Sequence, residues 1–182
     1  MQQLMEQLLT EPIAIEQDIY VKVLKDLQPI RSKGLRKEDV VFVCIGTDRS
    51  TGDAFGPLMG TVLQQLAFPY VIGTLAKPCD AYKVEEAVQQ LPSHKLIIAI
   101  DACLGNEKTV GTFVIREGSL QPGAATGRRL PPVGHYSIAA IINENGPKAY
   151  WKIQNTSLYT VLGMVSTLRQ AVIDTWALDK EI

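Results

Sequence analysis

The sequence has few residues that form disulfides or bind metals through soft ligands. Its 182 residues include three cysteines and two histidines. Cys44, Cys79 and Cys103 have no CxxC-type spacing, and their odd number argues against a disulfide framework. We interpret Cys44 as a small buried hydrophobe and the other two as reduced thiols near strand ends. Pairing of Cys79 or Cys103 with His135 as a nucleophile is the less favoured alternative.

The chain also lacks long apolar runs and blocks of like charge. Its apolar runs fall far short of the roughly 20 residues that a membrane-spanning helix needs, and residues 1–10 lack the features of a secretory signal. Lys and Arg number 18, Asp and Glu 19, and the two signs are interspersed. A basic nucleic-acid surface is therefore not expected. We predict a cytoplasmic protein without membrane or nucleic-acid partners.

The apolar content is sufficient for one core. With 46% hydrophobic residues in 182, the chain suits one well-packed domain better than two. We predict a single domain over 1–182, with an N-terminal helical arm over 1–38 and an α/β core over 39–178. One face of the arm's predicted helix is apolar, at Ile15, Ile19, Val23, Leu24 and Leu27.

The most informative stretch is VVFVCIGTDRSTGDAFGPLMG, residues 40–60. Val40–Ile45 is a continuous apolar run rich in β-branched residues, typical of a strand buried on both faces of a parallel sheet. After a polar loop, apolar residues recur at helical spacing from Phe55, with Pro57 in the first turn. Asp53 should therefore lie above the carboxyl end of a central strand, where open α/β sheets bind ligands. Its ordinary role would be a helix N-cap, and the loop has no nucleotide-binding motif.

Strands and helices alternate along the rest of the chain, which indicates an α/β fold with a mainly parallel sheet. We predict strands over 70–75, 96–100 and 109–116, the last antiparallel at the sheet edge, and a helix over 83–91. After an irregular stretch over 117–134, we predict a helix over 137–145, a strand over 149–153 and a long amphipathic helix over 157–178.

A second acidic residue, Asp101, ends the predicted strand over 96–100. Because parallel strands carry their carboxyl ends to one edge of the sheet, Asp53 and Asp101 are expected to meet. Two adjacent carboxylates tend to share a proton, which prepares an acid and a base at neutral pH. With a histidine they could instead hold a divalent cation. A loop-capping role is the plainer alternative for Asp101.

The irregular stretch over 117–134 is long enough to act as a lid or a substrate-binding element. Arg128 and Arg129 lie in it, where they could contact an acidic substrate or remain solvated. His135 follows directly, between the glycine- and proline-rich loop and a predicted helix. It could be a metal ligand, a proton carrier or a partner of a carboxylate, and a structural role is equally open.

Three segments, IGTDRSTGDAFGP, IIAIDACLG and LPPVGHYSIAAIIN, occur in this order and resemble the YyaC-type sporulation proteins. The resemblance covers about residues 40–173. More distantly, the segments are similar to the germination protease of spore-forming bacteria and to the endopeptidases that mature nickel–iron hydrogenases. This resemblance implies a three-layer α/β/α sandwich of the phosphorylase/hydrolase-like kind.

The resemblance also implies roles for particular residues. Acidic residues implicated in peptide hydrolysis by the germination protease match Asp53 and Asp101. In the hydrogenase-maturing peptidases such positions join a histidine in a metal cluster, and His135 is its expected match, which implies nickel or zinc at these three residues.

One departure from those relatives lies in the loop after Gly46, where Thr47 and Asp48 replace the usual asparagine. The replacement implies a different substrate pocket. We expect Thr47, Asp48 and Ser50 to contact the substrate, together with the arginines of the irregular stretch.

The leading hypothesis is a sporulation-associated peptidase that cleaves a protein or peptide in the forespore or mother cell. Asp53 and Asp101 would activate water and protonate the leaving amine, and His135 would orient a carboxylate or complete a metal site. The alternatives are a non-catalytic protein that binds a peptide or a metal-loaded partner, and a small-molecule hydrolase. The last helix or the N-terminal arm could form a homodimer interface.

Overall fold

In the part of the chain that the structure describes, five β-strands form a single sheet in the order β2-β1-β3-β5-β4. The structure is a computed structural model that describes residues 16–123 and 130–177. The strands are β1 (Val40–Cys44), β2 (Val71–Ile72), β3 (Leu96–Gly105), β4 (Phe113–Glu117) and β5 (Tyr136–Glu144). The first, second, third and fifth run parallel, and β4 pairs antiparallel with β5. The predicted α/β fold with a mainly parallel sheet is confirmed.

Five helices accompany the sheet in the described part of the chain. They are α1 (Gln17–Arg31), α2 (Phe55–Gln65), α3 (Val84–Gln89), α4 (Ala149–Gln154) and α5 (Leu158–Trp176), with two 3₁₀ turns at Lys37–Asp39 and Glu107–Thr109. None of the helices in this part is long and apolar enough to cross a bilayer.

Helices cover both faces of the sheet. Successive side chains of β1 point to opposite faces, and all of its residues are buried. Phe42 and Cys44 lie in the larger apolar cluster, with side chains of α1, α2 and α5. Val41 and Val43 lie in a second cluster, with Val84 of α3. The three-layer α/β/α arrangement is therefore confirmed.

The first described helix packs into the larger cluster. Val23, Leu27 and Ile30 of α1 are almost completely buried there. The Tyr20 hydroxyl also donates a hydrogen bond to Asp174 near the end of α5. α1 is thus attached to the sheet through α5 and the shared core.

The predicted helix over 137–145 is wrong, because this segment forms strand β5. Ile138, Ile141 and Ile142 have a spacing that fits a helix face, yet β5 lies between β3 and β4 and is buried on both faces. A strand of this kind has a nearly continuous apolar run, so its periodicity does not distinguish it from a buried helix.

The predicted strand over 149–153 is also wrong, because AYWKI begins helix α4. Its aromatic residues favour a strand by propensity, but only Ile153 is buried within this short helix. The Asn143 side chain donates to the Lys152 carbonyl (3.0 Å), and the Gly52 N–H donates to the Ile153 carbonyl (3.0 Å). These tertiary contacts fix the segment in a conformation that local β-propensity does not favour.

Strand β3 is longer than predicted. It continues through Asp101 to Gly105 and stays paired with β5, with one irregularity between Cys103 and Leu104. Asp101 therefore lies within a strand, opposite Ala139, and does not end it.

Candidate active-site cleft

The loop between β1 and α2 folds back on itself and fixes the position of Asp53. The Gly46 N–H donates to the Cys79 carbonyl (3.0 Å), and the Thr47 N–H donates to the Asp53 carbonyl (3.2 Å). Gly46 has a φ of +143°, and a Cβ there would lie 2.0 Å from the Asp53 carbonyl oxygen. Only glycine satisfies both conditions. Ala54 is the N-cap of α2 and no side chain caps it, so the N-cap alternative for Asp53 is wrong.

Helix α4 rests on the same loop and forms the facing wall of a cleft. The hydrogen bond from the Gly52 N–H to the Ile153 carbonyl joins the two segments. A Cβ on Gly52 would lie 2.5 Å from that carbonyl oxygen, so the approach is as close as glycine allows. The position of α4 therefore depends on the loop that carries Asp53.

The two predicted carboxylates come together in this cleft, which has a volume of about 300 Å³. Asp53 approaches from the loop and Asp101 from β3, and both are partly buried. The Ala102 N–H donates to Asp101 Oδ1 (2.8 Å). Thr47 and Ser50 line the cleft beside them, and Asn145 and Tyr150 line its other side.

The surroundings of the two carboxylates raise the pKa of each. Burial raises the pKa of Asp53 to about 6, the charge of Asp80 adds to this shift, and a backbone hydrogen bond from Thr47 opposes it. Burial raises the pKa of Asp101 well above its ordinary value, and the negative charge of Asp53 raises it further. Both pKa values are therefore raised, and the charge of Asp53 favours the protonated form of Asp101.

A third carboxylate, Asp80, lies close enough to act on Asp53, and the sequence did not identify it as a site residue. One of its oxygens lies 3.6 Å from Arg49 Nη2. The Arg49 Nε also donates to Thr47 Oγ1 (3.4 Å), so the arginine joins Asp80 to the Asp53 loop. Cys79, the preceding residue, pairs with Ile45 beyond β1 and so places Asp80 at the same sheet edge.

Two of the three substrate-binding residues predicted in the loop line the cleft. Ser50 has the only buried side-chain nitrogen or oxygen without a hydrogen-bond partner among the described residues. Thr47 also lines the cleft, but Asp48 is exposed and is not part of its lining. The predictions for Arg128 and Arg129 lie outside the described residues.

His135 does not join the carboxylates, and this predicted grouping is wrong. The ring Nδ1 of His135 accepts a hydrogen bond from the Ile97 backbone N–H (2.9 Å), and the backbone N–H of His135 donates to the Ile97 carbonyl (2.8 Å). Ile97 is near the start of β3, four residues before Asp101, which corresponds to roughly 13 Å along a strand. His135 is therefore an exposed residue near the amino end of the sheet.

The donor atoms of the cleft do not fit the expected nickel or zinc site. Within residues 16–123 and 130–177, no group of three or more His, Cys, Asp or Glu side chains is arranged to hold a metal ion. Cys103 lines the cleft, but burial and the charge of Asp101 raise the pKa of its thiol to about 11. That thiol is protonated at neutral pH, which disfavours it as a nucleophile.

The fold is similar to that of two solved structures. One is the [NiFe] hydrogenase maturation protease HycI from Thermococcus kodakarensis KOD1, with a TM-score of 0.53 and 18% identity over 82% of this chain and 99% of that chain. The other is the [NiFe] hydrogenase maturation protease HybD from Thermococcus kodakarensis, with a TM-score of 0.46 and 13% identity over 73% and 96% of the respective chains. At this level of identity, the similarity to HycI concerns the fold alone.

A much closer sequence relative is the Bacillus subtilis (strain 168) protein named "Uncharacterized protein YyaC". It is 42% identical over 158 residues, which cover 81% of this chain and 76% of that protein. The predicted resemblance to YyaC-type proteins is confirmed. A family model also matches residues 13–171. The chain therefore belongs to the family described as "Protein of unknown function (DUF1256)".

Proposed function

We propose that this protein is a peptidase that hydrolyses a peptide bond with Asp53 as base and Asp101 as acid. The observation that carries the proposal is the pair of carboxylates in one cleft, where burial raises both pKa values and the charge of Asp53 raises the pKa of Asp101 further. Paired carboxylates with separated pKa values are a common source of acid and base groups in hydrolases. The peptidase-like fold shared with HycI is consistent with this reaction.

The proposed reaction needs only water and the peptide. The Asp53 carboxylate removes a proton from water as the water oxygen attacks the carbonyl carbon of the peptide bond. Asp101 gives its proton to the amide nitrogen, so the C–N bond breaks and an amine leaves. Asp53 then releases its proton to solvent and Asp101 takes one up, which restores the starting state.

Thr47 and Ser50 are the proposed substrate-binding residues of the loop. Ser50 has a buried hydroxyl oxygen without a partner, and such groups are expensive unless a ligand or water completes their hydrogen bonds. Thr47 Oγ1 accepts hydrogen bonds from Arg49 and so connects the cleft to the surface ion pair with Asp80. No role is proposed for His135 in the reaction.

We further propose that the substrate is a spore or sporulation protein inside a spore-forming cell, in the forespore or the mother cell. This choice rests on the resemblance of the three sequence segments to the YyaC-type sporulation proteins. The test is mass spectrometry of small acid-soluble spore proteins incubated with the purified protein. Discrete cleavage is expected with the wild type, and a loss of about a hundredfold or more with Asp53→Asn or Asp101→Asn.

The matched control is Glu117→Gln, which removes an exposed carboxylate at the end of β4 and should leave cleavage unchanged. Parallel incubations with EDTA, Ni²⁺ and Zn²⁺ test the metal dependence. Because the carboxylates and His135 do not converge, EDTA is expected to leave the rate unchanged. Full activity in the Asp53→Asn/Asp101→Asn double variant would refute the assignment, and substrates left intact under all conditions would favour a binding protein.

A further inference from the structure

Four large apolar side chains are exposed on α4 and the first turn of α5, and one of them, Tyr150, lines the cleft. Tyr150, Trp151, Leu158 and Tyr159 are between 56% and 65% exposed, and we call them the corner surface. They are four of the eight large hydrophobic residues exposed in the described part of the chain, and they lie within ten residues of sequence. Exposed apolar patches and aromatic side chains of this kind are typical of protein–protein contacts.

The backbone of α4 is held in place by residues other than the exposed aromatic ones. Tyr150 and Trp151 are therefore not needed to pack α4 against the domain. Lys152 forms an ion pair with Glu144 of β5 (2.6 Å), and its carbonyl accepts hydrogen bonds from Asn143 and Thr156. Ile153 is the side chain of α4 that enters the core. Tyr150 and Trp151 project from this fixed helix with more than half of their surface exposed.

The corner surface is continuous with the cleft through Tyr150, which is exposed and also lines the cleft. A cleft of about 300 Å³ is at the small end of the range for ligand sites, so it accommodates only a short part of a polypeptide. When the peptide bond of a bound polypeptide lies at Asp53 and Asp101, Tyr150 lies beside that polypeptide in the same cleft. Its next residues would then contact the corner surface.

The charge around the corner surface indicates what kind of partner fits. Residues 145–173 contain no Asp or Glu, and the exposed Lys148 immediately precedes α4. A partner with acidic residues among its apolar ones is therefore complementary. A symmetric pair of copies joined here would cover the side of the cleft.

We propose that the corner surface docks the polypeptide substrate, specifically an extended segment with large apolar side chains and acidic neighbours. The identity of this occupant rests on the proposed peptidase function. Trp151 and Tyr159 supply contact area outside the cleft, so they affect the binding of long substrates and not the reaction at the carboxylates.

The test compares Trp151→Ser/Tyr159→Ser with Val21→Ser/Tyr70→Ser, a matched pair of exposed apolar residues elsewhere on the molecule. Each protein, in an Asp53→Asn/Asp101→Asn background, is applied to an array of synthetic 15-residue peptides of apolar–acidic, apolar–basic or polar composition. We expect preferential binding to the apolar–acidic set. Affinity should fall at least tenfold in the corner variant and remain unchanged in the control, with circular dichroism confirming that both variants are folded.

Binding that does not differ between the peptide sets or between the variants would overturn the proposal. So would light scattering that finds a dimer for the wild type and a monomer for the corner variant, because the surface would then join two copies. Peptides that bind but are never cleaved by the protein with intact carboxylates would refute only the peptidase function. Cleavage of a long substrate with an unchanged KM in the corner variant would refute only the docking proposal.

Discussion

The ionisation of Asp53 is expected to affect folding stability. Its pKa is about 6 in the folded protein against an ordinary value of 3.8. Because the folded-state pKa is raised, the native state holds a proton that the unfolded state releases between these pH values. This contribution to stability is present at low pH and is lost as the pH rises through about 6.

Relative to the wild type, Asp53→Asn should therefore be more stable at pH 8 than at pH 4. The amide carries no charge, so it avoids the cost of burying an ionised carboxylate. We expect the difference in unfolding free energy between variant and wild type to increase by about 2 kcal/mol from pH 4 to pH 8. Urea denaturation at both pH values measures it. Glu117→Gln, at an exposed position, should show no such change, and an equal effect in both variants would contradict the assignment.

His135 offers a separate prediction, because its ring accepts a backbone hydrogen bond from Ile97. His135→Ala removes the acceptor and should lower the unfolding free energy by about 1 kcal/mol. His135→Asn places an amide oxygen near the position of Nδ1 and should restore most of the loss. Denaturation curves for the three proteins test this role. A folded His135→Asn protein without the peptidase activity of the wild type would instead support a catalytic histidine.

At the scale of elements, the active-site loop depends on the close approach of α2 to β1. Gly56 lies in the first turn of α2, and a Cβ there would be 1.9 Å from the Ile45 carbonyl oxygen. The helix could not keep its position with any larger residue. Because Asp53 lies three residues earlier, the approach of the helix also determines where the carboxylate lies.

Gly56→Ala should be strongly destabilising even though alanine is the better helix former. We expect a loss of about 3 kcal/mol, since the clash is with backbone and not with a movable side chain. Gly34→Ala is the control, because a Cβ there meets no atom within 4 Å and the only penalty is its φ of +61°. That penalty is about 1 kcal/mol. Equal losses for the two variants, measured by denaturation, would show that the close approach does not matter.

The elements predicted correctly from the sequence are those whose pattern has one interpretation. The β-branched run of β1 followed by the apolar periodicity of α2 is an example. β5 was predicted as a helix because the sequence pattern of a strand buried on both faces resembles that of a buried helix. α4 was predicted as a strand because its conformation is fixed by contacts with Gly52 and Asn143, which are distant in sequence.

The candidate site was predictable to a similar degree. Asp53 and Asp101 were identified because each acidic residue follows an apolar run, even though β3 continues beyond Asp101. The position of His135 depends on how β5 aligns with β3, which single-sequence patterns do not determine. The influence of Asp80 on Asp53 likewise depends on the bridge between Ile45 and Cys79.

At the scale of the whole molecule, the parallel sheet assembles one acid–base pair from separate parts of the chain. β1 and β3 are neighbours in the sheet, so the loop after β1 lies beside the carboxyl-terminal half of β3. The cleft partly buries both carboxylates and places the corner surface at its side. Peptide hydrolysis and substrate docking are proposed from this arrangement, and the hydrolysis needs the pair to hold a proton at neutral pH.

The most direct measurement of that claim is a carbon-13 NMR titration of the aspartate carboxyl groups in the wild type, Asp53→Asn and Asp101→Asn. The proposed acid–base pair predicts that Asp53 ionises near pH 6 and that the pKa of Asp101 lies well above its ordinary value. It also predicts that the pKa of Asp101 falls in Asp53→Asn, because a neighbouring negative charge is removed. Ionisation of both carboxyl groups near pH 4, unaffected by either substitution, would contradict the acid–base pair.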